Sequence, residues 1–237
     1  MKIGLFSDPH YCRAEVLCKT RRPNLSLRKI RQAMDAFAAA GVDLVFCLGD
    51  LTDHAPGDSK ADVRENFREI IDLLQAYPLP FYLVPGNHDY LMMTAEEMAE
   101  EGNLLIPPYT VQAGGVAFIV LDANYRSDMR RFDRAGVEWT DANLPPEQME
   151  FLRHALESSS SDCIILIHEN LDPAIDSSHR VNNAGEISAL LSGYPRVKMV
   201  IQGHYHPGGE NVCHGARYLT LPAMCEGEEN RFMIIEL

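Results

Sequence analysis

The chain has 237 residues, 46% of them hydrophobic, enough to bury a large core as one compact domain over residues 1–237. Asp and Glu number 34 against 21 Lys and Arg, and the net charge of -13 repels polyanions and argues against nucleic acid as a partner. No apolar stretch approaches the ~20 residues that a membrane-crossing helix needs, and Met1 leads into an apolar run with no secretion signal, so a cytoplasmic protein with no membrane association is expected.

Residues 2–7 (KIGLFS) predict a short buried strand that opens into Asp8-Pro9-His10. Asn24, a good capping residue, is then expected to start a helix carrying Leu27, Ile30, Met34 and Phe37 on one face, with Gly41 as the stop. Residues 43–48 (DLVFCL) predict a second strand, followed by Gly49-Asp50 and a loop to Asp58. Val63, Phe67, Ile70, Ile71 and Leu74 repeat at helical spacing until Pro78 and Pro80. A third strand at 81–84 runs into Pro85-Gly86-Asn87-His88-Asp89. Three strand-loop-helix units in succession give an α/β fold with polar residues at the carboxyl ends of the strands.

The second half repeats the scheme. Strands at 116–121 and 163–167 flank a helix from about Pro146 to Glu157, and the later strand ends at His168. A helix over 186–191 precedes a strand at 197–201 that ends in Gly203-His204-Tyr205-His206. Residues 218–221 and 232–235 read as a closing antiparallel pair.

Asp8, His10, Asp50, Asn87, His168, His204 and His206 thus stand at the ends of five apolar runs, where a sheet hands its strand ends to a common rim. Each has an ordinary explanation when taken alone: Asp as a cap or turn former, Asn as a turn residue after Gly86. Together they point to a two-metal hydrolytic centre. Asp8 and His10, two apart in an extended segment, share a face, and Asp50 can bridge two ions through its two oxygens. Mixed nitrogen and oxygen donors favour Mn, Fe, Zn or Co over Mg or Ca. Two such ions ~3.5–4 Å apart share a bridging water that becomes a hydroxide aimed at phosphorus. His88 then stands free as the general acid, with Asp89 orienting it. His54, His154 and His214 read as surface residues. The six cysteines form no C-x-x-C pair and are expected to be reduced thiols with no metal role, Cys12 lying nearest to His10 in sequence.

These segments, D-P-H, G-D, G-N-H-D, a lone His and G-H-Y-H, resemble the five motifs of the calcineurin-like metallophosphoesterases, from Asp8 to His206. The resemblance implies a four-layer αββα sandwich of two mixed β-sheets flanked by helices. It also implies one metal on Asp8, His10, Asp50 and His206, a second on Asp50, Asn87, His168 and His204, and His88 as the acid. Shorter segments (24–27 NLSL, 121–124 LDAN, 179–183 HRVNN, 224–227 MCEG) are similar to the manganese-dependent ADP-ribose/CDP-alcohol diphosphatases, which puts Mn first among Mn, Fe and Zn. Cyclic-nucleotide phosphodiesterases share much of the same layout. The chain departs from many relatives at Glu169, after the lone His, and at Tyr205, where a small Ser or Thr is common.

Substrate contacts are sought outside these motifs. Arg126, Arg130, Arg131 and Arg134 crowd one loop and can bind a second phosphate or pair with Asp128 and Asp133. Asn124, Arg126, Arg180 and Tyr205 are the candidate substrate contacts, while Trp139 is expected to pack the loop. The resulting expectation is hydrolysis of a phosphodiester or pyrophosphate bond in a small phosphorylated, nucleotide-like partner. The alternatives are a cyclic-nucleotide phosphodiesterase, a phosphomonoesterase and a non-catalytic metal-binding scaffold. Phosphoprotein phosphatases of the family carry an Arg soon after Gly-Asp, where this chain has Leu51-Thr52-Asp53-His54, and a scaffold would have lost ligands that are all present here.

Overall fold

The computed structural model describes residues 1–133 and 138–237. Its elements follow in the order β1 (Lys2–Phe6), α1 (Ser26–Ala40), β2 (Leu44–Cys47), α2 (Lys60–Gln75), β3 (Phe81–Leu83), α3 (Ala95–Gly102), β4 (Tyr109–Ala113), β5 (Val116–Val120), α4 (Pro146–Ser158), β6 (Asp162–Leu166), α5 (Ala184–Ser192), β7 (Val197–Gln202), β8 (Gly209–Cys213), β9 (Ala216–Thr220) and β10 (Met233–Glu236). The first sheet has the order β10-β1-β2-β3 and the second β4-β5-β6-β7-β9-β8. Both are mixed: β1-β2-β3 and β5-β6-β7-β9 run parallel, while β10, β4 and β8 add antiparallel edges.

Three apolar clusters build the layers, and the two-residue period of the strands sorts side chains among them. Ile3, Leu5, Leu44 and Phe46 face Phe118, Val120, Ile164 and Leu166 between the two sheets. The intervening Phe6, Val45 and Cys47 pack outward on Ile30, Met34 and Phe37 of α1 and Phe67, Ile70 and Ile71 of α2. On the far side, Cys163 and Ile165 pack on Leu152 and Leu156 of α4 and Ile187 and Leu191 of α5. This is the four-layer αββα arrangement expected from the resemblance. Its central strands are buried on both faces, which is why they read as unbroken apolar runs.

Two expectations need correction. The helix does not start at Asn24, which sits in a short 3-10 turn (Pro23–Leu25); α1 begins at Ser26, whose buried hydroxyl donates to the Pro9 carbonyl instead. Residues 218–221 and 232–235 do not pair with each other. β9 lies between β7 and β8 in the second sheet, whereas β10 pairs with β1 in the first. The true hairpin partners, β4 and β8, were hidden because half-exposed edge strands lack the apolar run that marks a core strand. Their turns do carry a local signal: both residues of Gly114-Gly115 and of His214-Gly215 have positive φ, as tight two-residue hairpins require.

Candidate metal centre

The carboxyl ends of β1, β2 and β3 from one sheet and of β6 and β7 from the other meet at one rim. Their loops continue the strand ladders: Asp8 N–H donates to Gly49 O (3.0 Å), His10 N–H to Asp50 O (2.8 Å), Tyr11 N–H to Leu51 O (2.8 Å) and Asp53 N–H to Tyr11 O (3.0 Å). On the other side Met224 N–H and Cys225 N–H donate to the carbonyls of Ser7 and Asp8, and Gly203 N–H to that of His168. The loops lie so close that a β-carbon on Gly203 would stand 2.9 Å from Leu48 O and 2.8 Å from Asp8 Oδ2. Asp8 and His10 do not converge as alternate residues of an extended segment. Both have left-handed backbone, φ 54 and 48, as do Asp50 (50) and His204 (64).

Asp50 is the hub. Its Oδ1 accepts from the His88 N–H (2.7 Å), so Oδ2 alone lies between His10 Nε2 (3.3 Å) and His168 Nε2 (3.4 Å). Oδ2 is thus the Asp50 oxygen that faces two candidate ligand rings. Asp8 Oδ1 is 3.7 Å from His10 Nε2, 3.6 Å from His206 Nε2 and 4.0 Å from His168 Nε2. Donor atoms of Asp50, His168 and His204 lie within 4.8 Å of one another.

Three of the four imidazoles have a partner on Nδ1. Nδ1–H of His168 donates to Leu48 O (2.5 Å), that of His206 to Glu226 Oε1 (2.7 Å) and that of His10 to Asp53 Oδ2 (3.1 Å). Nε2 is thereby left with its lone pair toward the centre. Asp8 Oδ1, Asn87 Oδ1, His168 Nε2 and His204 Nε2 are buried with no hydrogen-bond partner among the described residues. Four orphaned donor atoms in one small volume are costly unless something binds them, and nitrogen and carboxylate donors suit divalent cations.

The electrostatics agree. Burial pushes the Asp50 carboxyl up, but His168, His88 and His10 outweigh it and hold it well below the usual carboxylate range. Burial pushes His10 down, yet Asp50, Asp53 and Asp8 raise it to about 9. Burial and the charge of His168 press His204 down to about 3, so its ring is neutral and ready to ligate. The site concentrates negative charge that cations or protons must balance, and cations bound there would displace the protons.

His88 Nδ1 lies 3.1 Å from Asp53 Oδ1, so Asp53 orients it, not Asp89. Asp89 accepts instead from Thr52 N–H (3.2 Å) and Gly86 N–H (2.9 Å), tying the second loop to the third. Burial and the charge of Asp50 raise its carboxyl to about 7. Asp53 thus serves His10 and His88 at once and also accepts from Arg21 Nη1 (3.1 Å). Sequence reasoning passed over Asp53, Arg21 and Glu226. Asp53 had a readable signal, standing in the loop that continues the β2 ladder, but Arg21 and Glu226 are brought in by contacts distant in sequence. Cys12 joins no group of donor atoms, whereas Cys225 Sγ lies within 4.8 Å of donor atoms of His10 and His206. Burial pushes that thiol up, which keeps it a neutral neighbour.

A cavity of about 390 Å³ opens over the centre, lined by Arg21, Asp50, Asn87, His88, Trp139, His179, His204, Tyr205, His206 and Pro207. Of the expected substrate contacts only Tyr205 is among them. Asn124 is fully buried and its Nδ2 donates to Pro85 O (3.1 Å) and Asp122 Oδ1 (2.8 Å). Arg126 pairs with Asp128 (3.4 Å), as does Arg130 (3.8 Å). Arg131 is engaged by Asp122 (3.3 Å) and the Tyr125 hydroxyl (2.6 Å), and Arg134 lies outside the described residues. Arg180 forms a backbone β-bridge with Asn170 and is absent from the cavity lining, and its Nε is buried without a hydrogen-bond partner among the described residues. The described arginines of this loop are thus ion-paired with Asp128 and Asp122, and none of them lines the cavity. Glu169 is fully buried with both oxygens unpartnered among the described residues, so it is no substrate contact; burial raises its carboxyl to about 8.

Comparison with known proteins agrees with this geometry. Residues 1–208 match the family model described as calcineurin-like phosphoesterase. The 3′,5′-cyclic adenosine monophosphate phosphodiesterase CpdA of Haemophilus influenzae is 21% identical over 234 residues, covering 95% of this chain and 77% of that protein. CpdA of Escherichia coli K12 is 28% identical over 187 residues, 77% of this chain, and the match spans 61% of the longer E. coli protein. A solved dimetal phosphatase from Danio rerio superposes with a TM-score of 0.84 at 18% identity, covering 100% of this chain and 92% of that one.

Proposed function

The chain belongs to the calcineurin-like phosphoesterases, and on that premise we propose that it hydrolyses a phosphodiester or pyrophosphate bond in a small nucleotide-like substrate. The observation that carries the reading is the set of orphaned donor atoms, Asp8 Oδ1, Asn87 Oδ1, His168 Nε2 and His204 Nε2, gathered around Asp50. Asp8, His10, Asp50 and His206 would hold one ion and Asp50, Asn87, His168 and His204 the other, with Mn first among Mn, Fe and Zn. When bound, the two ions supply an activated water and positive charge for the phosphoryl oxygens.

The chain's own residues supply the rest. Asp53 holds His88 by Nδ1, which leaves Nε2 to protonate the departing oxygen. Arg21, fixed by the same carboxylate, places a guanidinium on the cavity wall where a phosphate arrives. The neutral ring of His204 offers a lone pair, and the partners on Nδ1 of His10, His168 and His206 leave Nε2 of each as the atom where a cation would replace a proton.

A cyclic nucleotide is the second reading, supported by relatives that bear the name of cyclic AMP phosphodiesterases. Purified protein with Mn²⁺ should cleave bis(p-nitrophenyl) phosphate, and Asp50→Asn or His168→Ala should abolish the activity. Undiminished turnover in both variants would sink the mechanism. Parallel assays with cyclic AMP and ADP-ribose separate the diester from the pyrophosphate reading.

A further inference from the structure

One wall of the cavity is made of rings. Trp139, the only tryptophan in the chain, remains 39% exposed, with its ring centroid 5.1 Å from His179 and 5.7 Å from His204. The His179 ring lies 5.4 Å from His204 and 5.1 Å from Tyr205. Asp176 Oδ2 holds His179 Nδ1 at 2.9 Å, which restrains that ring from turning. The series starts at His204, whose Nε2 is one of the orphaned donors, and continues outward along the same cavity. A tryptophan that merely packed its loop would bury its face. This one turns partly exposed aromatic surface to the space above the centre.

We propose that Trp139 and His179 form a stacking subsite for the nucleobase of the substrate; this deepens the phosphodiesterase reading and rests on it. A phosphate drawn to Arg21, and to the cations that Asp50 would hold, leaves the rest of a nucleotide lying along this wall. Ring-on-ring stacking suits any base, since each has a π face, and adds affinity that sugar phosphates alone lack. Stacking of this kind selects for the presence of a base rather than for its identity.

Because the chain has a single tryptophan, intrinsic emission reports this position directly. The experiment titrates the purified protein with adenosine 5′-monophosphate and, in parallel, with ribose 5-phosphate. The base-bearing probe should change Trp139 emission saturably while the sugar phosphate leaves it unaltered. Calorimetry should show Trp139→Leu binding adenosine monophosphate about tenfold more weakly, ribose 5-phosphate with unchanged affinity, and Trp139→Phe restoring most of the loss. Equal emission changes with both probes, or wild-type nucleotide affinity in Trp139→Leu, overturns the subsite. A protein that shows the nucleotide-specific signal but hydrolyses no diester loses only the functional reading. One that hydrolyses diesters without the signal loses only the subsite.

Discussion

Asp53 is the most economical place to test how the centre is held. Its two oxygens each take one imidazole at 3.1 Å, His10 on Oδ2 and His88 on Oδ1, and Oδ2 also accepts from Arg21 at 3.1 Å. Asp53→Asn keeps the shape but offers one oxygen and one amide N–H₂. The nitrogen end must face a ring N–H or force that ring into the opposite tautomer. If His10 is the one turned, its Nε2 gains a proton and loses the lone pair needed for a metal; if His88, the acid is misaligned. Losing an outer carboxylate behind one ligand costs roughly 10–100-fold in metal affinity or activity, or about 1.4–2.7 kcal/mol. Because one carboxylate serves two rings, the expected fall in kcat/KM lies near the upper end, about 100-fold. The assay is hydrolysis of bis(p-nitrophenyl) phosphate across a Mn²⁺ titration, with circular dichroism to show that the fold persists. Activity and Mn²⁺ dependence within threefold of wild type, in a folded Asp53→Asn protein, would refute the orientation argument.

Asp89 gives a contrast: its carboxylate accepts from two backbone N–H groups, of which an amide can satisfy only one, so Asp89→Asn should cost about 1–3 kcal/mol of stability and less kcat/KM than Asp53→Asn. The opposite order of activities would restore Asp89 as the partner of His88. Lys29 is buried and its ammonium donates to Met224 O (2.7 Å) and Gly227 O (2.8 Å), so it anchors the loop that brings Glu226 to His206. Lys29→Met should destabilise by about 1–3 kcal/mol in urea melts, and a change too small to resolve rejects the anchoring role. Gly203→Ala forces a methyl against Leu48 O and Asp8 Oδ2, an overpacking cost of about 1–3 kcal/mol, and should lose more activity than stability. Wild-type kcat/KM there would mean the loops are looser than they look. Removing metal by chelation forfeits about 2.7 kcal/mol per site held at 100 times its Kd, which at ~2–4 °C per kcal/mol for a chain of this size lowers Tm by roughly 5–11 °C for each site emptied. Mn²⁺ should restore the loss, and an unchanged Tm speaks against a metal centre.

What could be read in advance was whatever the chain states locally. Ile3, Leu5, Leu44 and Phe46 sit in buried strands whose apolar character is continuous, and the residues that follow each strand must lie at the rim. The edge strands β4 and β8 escaped because solvent on one side dilutes their pattern. Roles that depend on which partner is nearest escaped for another reason. Arg126 and Arg131 looked like phosphate ligands by composition, but Asp128 and Asp122 reach them first. His88 and Asp89 are neighbours in sequence, yet side chains of consecutive residues diverge, and His88 is served by Asp53, 35 positions earlier. Trp139 reads from the sequence as a residue that packs its loop, and only the fold brings it against the rings of His179 and His204.

The left-handed backbone at Asp8, His10, Asp50 and His204 says where the cost of the centre is borne. A non-glycine residue in that region costs of order 1–3 kcal/mol and persists only where its surroundings over-determine it, although Asp and His tolerate it better than most. Here the surroundings are backbone bonds between loops, Asp8 N–H to Gly49 O, His10 N–H to Asp50 O, Cys225 N–H to Asp8 O and Gly203 N–H to His168 O. None of these bonds involves an ion, so the sheets and their ladders hold the loops in this conformation themselves. Burial of the three apolar clusters fixes the strands that these loops join, and so offsets the strain. It follows that replacing Asp8 or Asp50 by Ala removes more than a charge: it also puts a residue less suited to positive φ at a hinge of the frame, so the neighbouring donors move with it.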